Sequence, residues 1–152
     1  MDALVEANVW LPILVERHEH HRPATTWWEK RTPGSATWCR FTQHAILRLL
    51  TNRVVMGDAV RSPTDAWETW QRLILDERTA FMPTEPPDLD DLWRSNIETR
   101  APTPKLWTDA YLAALAESAR LEMVTFDAGF KQFSLSRITV LRPRTAPTWR
   151  SR

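Results

Sequence analysis

Two aspartates near the C-terminal end carry the most chemical information in this chain. One lies in Leu106-Trp107-Thr108-Asp109-Ala110-Tyr111-Leu112-Ala113-Ala114-Leu115-Ala116, a helix rich in small residues. The other follows Met123-Val124-Thr125-Phe126, a short apolar strand, in Asp127-Ala128-Gly129-Phe130. A helix packed on a sheet can bring both carboxylates to one edge. Converging carboxylates suit a hard divalent cation, because magnesium and manganese prefer oxygen ligands. Each aspartate alone would serve equally well as a helix cap or a turn residue. What separates the two readings is the company these acids keep upstream.

Glu6 also ends an apolar run, Ala3-Leu4-Val5, that reads as a buried strand. Gln43 opens a helix on the stripe of Ile46, Leu47 and Leu50, and Asp109 shares a stripe with Leu112, Ala113 and Ala116. A polar group on a core-facing stripe needs a partner, since unpaired burial costs roughly 1–3 kcal/mol. A bound cation or its water shell would supply one.

The elements that must position these residues follow from periodicity. A helix is expected over Val9 to His21, with Pro12 in its first turn, and another over about Ala24 to Arg31. Thr32-Pro33-Gly34 is a turn signal. Ser35 to Cys39 reads as a strand and Phe41 to Thr51 as a helix. Gly57 and Pro63 bracket a loop. Ser62 or Thr64 caps a helix to about Asp76, with Trp67, Trp70, Leu73 and Ile74 inward. Ala80 to Met82 is a third strand, and 88–98 a helix. Residues 100–105 form a proline-broken loop, and Thr108 starts the helix that carries Asp109 and ends near Glu122. Strands over Val124 to Phe126 and Ile138 to Leu141 complete the pattern. Short strands alternating with helices imply an α/β fold with a mainly parallel sheet covered on both faces. In such sheets the site lies beyond the carboxyl ends of the strands.

Composition narrows the classes. The 152 residues suffice for one domain with a full core. No apolar run approaches the roughly 18–20 residues that span a bilayer, so no membrane role is expected. The N-terminus, MDALVEANVW, lacks a signal-peptide pattern. The single Cys39 rules out an internal disulfide and a cysteine-rich zinc site, and fits a cytoplasmic location. Three glycines cannot build a phosphate loop. From Arg137 onward there are five arginines and no acid, which leaves about −4 for residues 1–136 of a chain whose net charge is +1. A single domain over 1–143 is expected, with 144–152 as a basic tail suited to phosphate or an acidic surface.

The order acid-Ala-Asn-Val-Trp, then Thr-Gln-x-x-x-Leu-Arg-Leu-Leu-Thr-Asn, then Thr-Asp-Ala-Tyr-Leu-Ala-Ala-Leu-Ala, then Thr-Phe-Asp-x-Gly-Phe resembles the PIN-domain family. More narrowly, it is similar to the VapC-type toxins of bacterial type II toxin–antitoxin systems. The resemblance runs from Leu4 to about Leu141. It implies a PIN-like three-layer α/β/α fold and a metal-dependent endoribonuclease. A magnesium or manganese ion would activate a water for in-line attack on an RNA phosphodiester. The family's acids fall at Glu6, Gln43, Asp109 and Asp127, with Glu6, Asp109 and Asp127 as metal ligands. Gln43 would orient a metal-bound water or the phosphate, and Asn8 and Thr125 would be supporting polar groups. The resemblance further implies a homodimer and a cognate VapB-like antitoxin whose C-terminal segment crosses the groove.

Two positions depart from the family pattern. Glu6 stands where Asp is usual, which moves the carboxylate by roughly one C–C bond length, more than a preorganised site easily absorbs. Gln43 stands where many PIN domains have Glu, leaving three carboxylates. These departures define an alternative, an attenuated or silent PIN-like module that binds RNA or protein. A flavodoxin-like phosphatase or receiver is weaker, since only Glu6 lies at the first strand. His18 and His21 read as helix-end residues. Arg48 and Lys105 read as surface or ion-paired groups, and Cys39 as an inert, half-buried thiol.

Overall fold

Three apolar residues make a strand when both faces of the sheet are covered, and this chain uses that economy repeatedly. The computed structural model describes residues 2–143. The strands are β1 (Ala3–Val5), β2 (Ala36–Trp38), β3 (Thr79–Phe81), β4 (Glu122–Thr125) and β5 (Ile138–Val140). All pairs are parallel, in the order β3-β2-β1-β4-β5. The chain leaves β1 toward β2 and β3, then returns past β1 to β4 and β5. The order therefore reverses between β1 and β4, which opens a crevice at their carboxyl ends.

The helices are α1 (Ala7–Leu14), α2 (His21–Glu29), α3 (Arg40–Leu50), α4 (Arg53–Met56), α5 (Pro63–Ile74), α6 (Leu89–Ile97) and α7 (Pro104–Ser118). Side chains alternate across the sheet. Ala3, Val5 and Val124 join a core with Val9, Trp10, Trp27, Trp28, Trp38, Ile46 and Leu50. Leu4 and Met123 join the opposite core, built on Ala110, Leu112 to Ala116 and Phe130. The result is the three-layer α/β/α arrangement expected from the sequence.

Much of the tryptophan excess sits in the first core. Trp10 stacks on Trp38 with centroids 4.1 Å apart and planes 10° from parallel. Trp28 meets Trp10 edge-on at 5.5 Å. The Trp10 indole N–H donates to the Val5 carbonyl at 3.1 Å, tying α1 to the end of β1. Trp67 is different. Sequence periodicity turned it inward, but it is 46% exposed. Ala66 and Thr69 of α5 are buried, and Trp70, Leu73 and Ile74 pack against the first core as expected.

Three boundaries differ from expectation. The first helix begins at Ala7, so Pro12 lies inside it rather than in its first turn. A proline there deletes a ladder bond, and the helix stops at Leu14 instead of His21. His21 instead starts α2 and places Nδ1 2.7 Å from the Pro12 carbonyl oxygen. The loop after Gly57 is preceded by the extra short helix α4. Most consequential is α7, which starts at Pro104 rather than Thr108. Thr103 caps it by accepting from the Leu106 N–H at 3.2 Å, and Pro104 takes the first helical position. Among the described residues no helix is long and apolar enough to cross a membrane. The basic tail expected at 144–152 lies outside the described residues.

Candidate active site

Because β1 and β4 are parallel neighbours, the residues that follow them emerge at the same edge. Val5 pairs with Val124, and the Glu6 N–H donates to the Val124 carbonyl at 3.0 Å. Glu6 occupies the N-cap position of α1, yet its side chain caps nothing. It accepts instead from the Thr125 hydroxyl through Oε2. That hydroxyl, fully buried, also accepts from the Asn8 side-chain amide at 3.2 Å and from the Asp127 N–H at 2.9 Å. Asn8 Oδ1 in turn accepts from the Phe126 N–H at 3.2 Å. One hydroxyl thus links both strand-end acids, and Asn8 braces it.

Asp127 is held from two sides. Oδ1 accepts from the Gly129 N–H at 2.8 Å, and Oδ2 is engaged by the Lys105 ammonium. Lys105 Nζ also lies 3.7 Å from Asp109 Oδ2, one helical turn along α7. Asp109 is 6% exposed and faces the sheet. The early start of α7 makes this arrangement possible, because it places Lys105 on the helix at the same face as Asp109.

Burial and charge push these groups apart. Desolvation, with repulsion from Asp109 and Asp127, overcomes the Thr125 hydrogen bond and lifts Glu6 to about 7. Burial also raises Asp109, against the pull of Lys105. The Lys105 hydrogen bond holds Asp127 below the usual carboxylate range, and its partner rises in consequence. Burial thus raises two of the acids while the ammonium holds the third low, a spread common at reactive sites.

Cavities flank the acids. One of about 340 Å³ lies between α1, α3 and α7, lined by Glu6, Thr42, Arg48, Asn52 and Thr108 among others. A second, of about 310 Å³, is lined by Asp109, Asp127, Gly129, Lys105 and Arg100 among others. Acids and cations thus share a continuous edge of the sheet.

The structure brings Glu6, Asp109, Asp127, Asn8 and Thr125 together. It does not bring Gln43 into either cavity. Gln43 is buried on the core side of α3 with Ile46 and Leu50, where Oε1 accepts from Arg40 at 2.6 Å. The α3 residues lining the Glu6 cavity come from the neighbouring face, Thr42 and Ala45 among them. A stripe predicts burial, and here burial points to the core. Cys39, expected half-buried, is fully buried at the start of α3, where its sulfur lies 3.6 Å from Thr42 Oγ1. His18 lies between helices rather than at a helix end, and His21 opens α2. Lys105 fulfils the ion-pair reading, and the signal for its place was Thr103-Pro104, a cap followed by a first-turn proline.

Among the described residues, no three acid, histidine or cysteine side chains stand close enough to hold one ion as arranged. Glu6 is turned to Thr125 and Lys105 engages Asp127. The donor set nevertheless fits a hard cation. It consists of carboxylate oxygens, and an ammonium already stands against two of them.

A parallel sheet in this order, with acids at the ends of β1 and β4 and a third on the covering helix, defines a class. The chain belongs to the PIN-domain family, whose model matches residues 3–135. Within that family it is 39% identical over 135 residues to the ribonuclease VapC41 of Mycobacterium tuberculosis, covering 86% of this chain and 92% of that protein. It is 30% identical over 146 residues to the ribonuclease VapC29 of the same organism, covering 95% and 99% respectively. The fold is shared with VapBC2 from Rickettsia felis, whose structure was solved bound to a DNA fragment from their promoter. The TM-score is 0.62 at 9% identity, covering 91% of this chain and 98% of that one.

Proposed function

We propose that this chain is a metal-dependent endoribonuclease of the VapC toxin type. The carrying observation is that Asp109 and Asp127, on α7 and just past β4, share the Lys105 ammonium, with Glu6 at the same sheet edge beyond β1. The ribonuclease relatives supply the reaction class. Asp109 and Asp127 would hold a magnesium or manganese ion, with Glu6 beside them. When bound, the ion would supply charge neutralisation and an activated water for attack on an RNA phosphodiester.

The remaining work belongs to the protein. Glu6, with Oε2 held by Thr125, would complete the ligand set directly or through water. Thr125 and Asn8 fix its position. Arg48, in the Glu6 cavity, and Arg100, in the Asp127 cavity, would contact phosphates on either side of the scissile bond. Gln43, whose Oε1 accepts from Arg40, would orient a metal-bound water or the scissile phosphate. Residues 1–143 would form the catalytic unit and 144–152 a basic tail that meets RNA or antitoxin. A VapB-like antitoxin would neutralise the enzyme, as the VapBC assembly with this fold suggests. We further propose a homodimer acting in the cytoplasm.

The test is cleavage of pooled structured RNAs in manganese, magnesium or chelator. Wild type should cut in metal and not in chelator. Asp109→Ala or Asp127→Ala should remove cutting while leaving circular dichroism unchanged. Activity that survives both substitutions overturns the reading. The turned-away Glu6 favours a second reading, a site attenuated by its longer acid. Cleavage absent in wild type and present in Glu6→Asp would establish it.

A further inference from the structure

A third cavity carries chemistry that the acids do not explain. It has a volume of about 360 Å³ and is lined by Phe41, Glu85, Trp93, Trp107, Thr108 and Tyr111. Phe41 and Thr108 line both this cavity and the one beside Glu6, so the two are neighbours. Asp109 is the next residue after Thr108. The aromatic chamber therefore adjoins the cavity that Glu6 lines, through the walls formed by Phe41 and Thr108.

Its walls are set against one another. Trp93 meets Tyr111 at 5.1 Å with planes 67° apart, and meets Trp107 at 6.2 Å with planes 87° apart. Phe41 approaches Tyr111 at 5.9 Å. The Trp93 indole N–H donates to the Trp107 carbonyl at 3.1 Å, which fixes the indole. The rings thus meet edge to face, leaving ring faces without a stacked partner in the cluster. Trp107 remains 55% exposed. Core tryptophans in this protein behave differently, since Trp10 and Trp38 stack on each other and are fully buried.

The polar feature of the chamber is an acceptor. The Tyr111 hydroxyl donates to Glu85 Oε1 at 2.5 Å, and burial together with that bond keeps the phenol protonated far above its ordinary range. Glu85 Oε2 has no hydrogen-bond partner among the described residues. A carboxylate accepts and does not donate at neutral pH. The nucleobase edge that offers two adjacent N–H donors to it is the N1–H and N2–H2 edge of guanine.

We propose that this chamber is a subsite for one unpaired nucleobase next to the scissile phosphate, stacked on Trp107 and read as guanine by Glu85. It rests on the ribonuclease reading and adds the substrate's sequence preference. Base–aromatic stacking tolerates any base, so Trp107 supplies affinity and Glu85 supplies choice. A flat ring fits a cavity of this size, and the shared Phe41 and Thr108 continue the path of the strand past the acids.

The test uses the full chain in manganese with an unstructured twelve-nucleotide RNA bearing one guanine, and matched RNAs with inosine or adenine in its place. Tryptophan quenching on RNA addition and steady-state cleavage are both read. Trp107→Ala should lose the quenching and raise KM roughly tenfold, the effect of one lost stack, with kcat changed less than twofold. Trp107→Phe should retain most of the affinity. Glu85→Gln should abolish the preference for guanine over inosine and over adenine. Circular dichroism confirms folding. A Trp107→Ala enzyme with wild-type KM and quenching overturns the subsite while the nuclease stands. A guanine preference that survives Glu85→Gln overturns the assignment of guanine. Unchanged RNA kinetics together with lost dimerisation would give the patch to a protein contact instead. A wild type that neither binds nor cuts any of these RNAs sinks the nuclease reading itself, and the subsite with it.

Discussion

Replacing Lys105 by methionine keeps an unbranched side chain only one atom shorter and removes the cation lodged between Asp109 and Asp127. At 3.7 Å from Asp109, a unit charge in an effective dielectric of 20 would be worth about 4 kcal/mol. The lysine side chain is 67% exposed, so solvent screening reduces the usable part to about 1 kcal/mol. A divalent ion entering the site must displace this ammonium and therefore works against that energy. Lys105→Met should bind manganese about fivefold more tightly in calorimetric titration, since roughly 1.4 kcal/mol is a factor of ten. The metal-free variant should melt at a lower temperature than wild type, because two carboxylates lose their counter-ion. Its melting temperature should then rise further on adding manganese than the wild type's does. Manganese binding that is unchanged or weaker in Lys105→Met would refute the idea that the ammonium occupies the cation's place. It would make Lys105 a partner of the metal-loaded site.

Glu6 gives a pH signature. Its pKa is 4.5 in an unfolded chain and about 7 in the fold, so the native state holds the proton more tightly. The protonated acid is tolerated below pH 4.5, and the fold loses up to about 3 kcal/mol as pH rises through 7. Glu6→Gln, neutral throughout, should match wild type near pH 4.5 and be more stable by about 2–3 kcal/mol at pH 8 in metal-free denaturant titrations. Equal stability at both pH values would show that Glu6 is solvated. Gly129→Ala tests the brace on Asp127. A Cβ there would lie 2.9 Å from Asp127 Oδ1 and 3.6 Å from its Cγ. The carboxylate must move, so cleavage should fall roughly a hundredfold. Thermal melts should change little, and a variant with full activity would show that Asp127 has freedom to spare.

The sheet was legible in the sequence because its strands are short, mostly apolar runs between helical segments. Ala3 to Val5 before Glu6, and Met123 to Thr125 before Asp127, needed no tertiary information. Helix termini were less legible where prolines had two meanings. Pro104 looked like a breaker and is a first-turn residue, while Pro12 looked like a first-turn residue and lies inside a helix. Gln43 shows the limit of a stripe argument, since an inward polar residue on α3 can meet Arg40 as readily as a reaction centre. The Thr125 node, by contrast, depends on β1 and β4 becoming neighbours. Sequence alone places Thr125 beside Asp127 but not against Glu6. The aromatic chamber was hidden for the same reason, because Trp93 and Trp107 come from different helices.

The Thr125 hydroxyl joins residues 119 positions apart in the chain. At about 5–20 residues per second of synthesis, the second half of that link leaves the ribosome roughly ten seconds after the first. β1 waits in the centre of the sheet without its β4 neighbour for all of that time. A nascent or prematurely ended chain therefore carries Glu6, and even Asp109, without the strand that closes the site. The converging acids are in place only once β4 has paired with β1, so a chain that ends before Thr125 should lack any cleavage that the full chain shows.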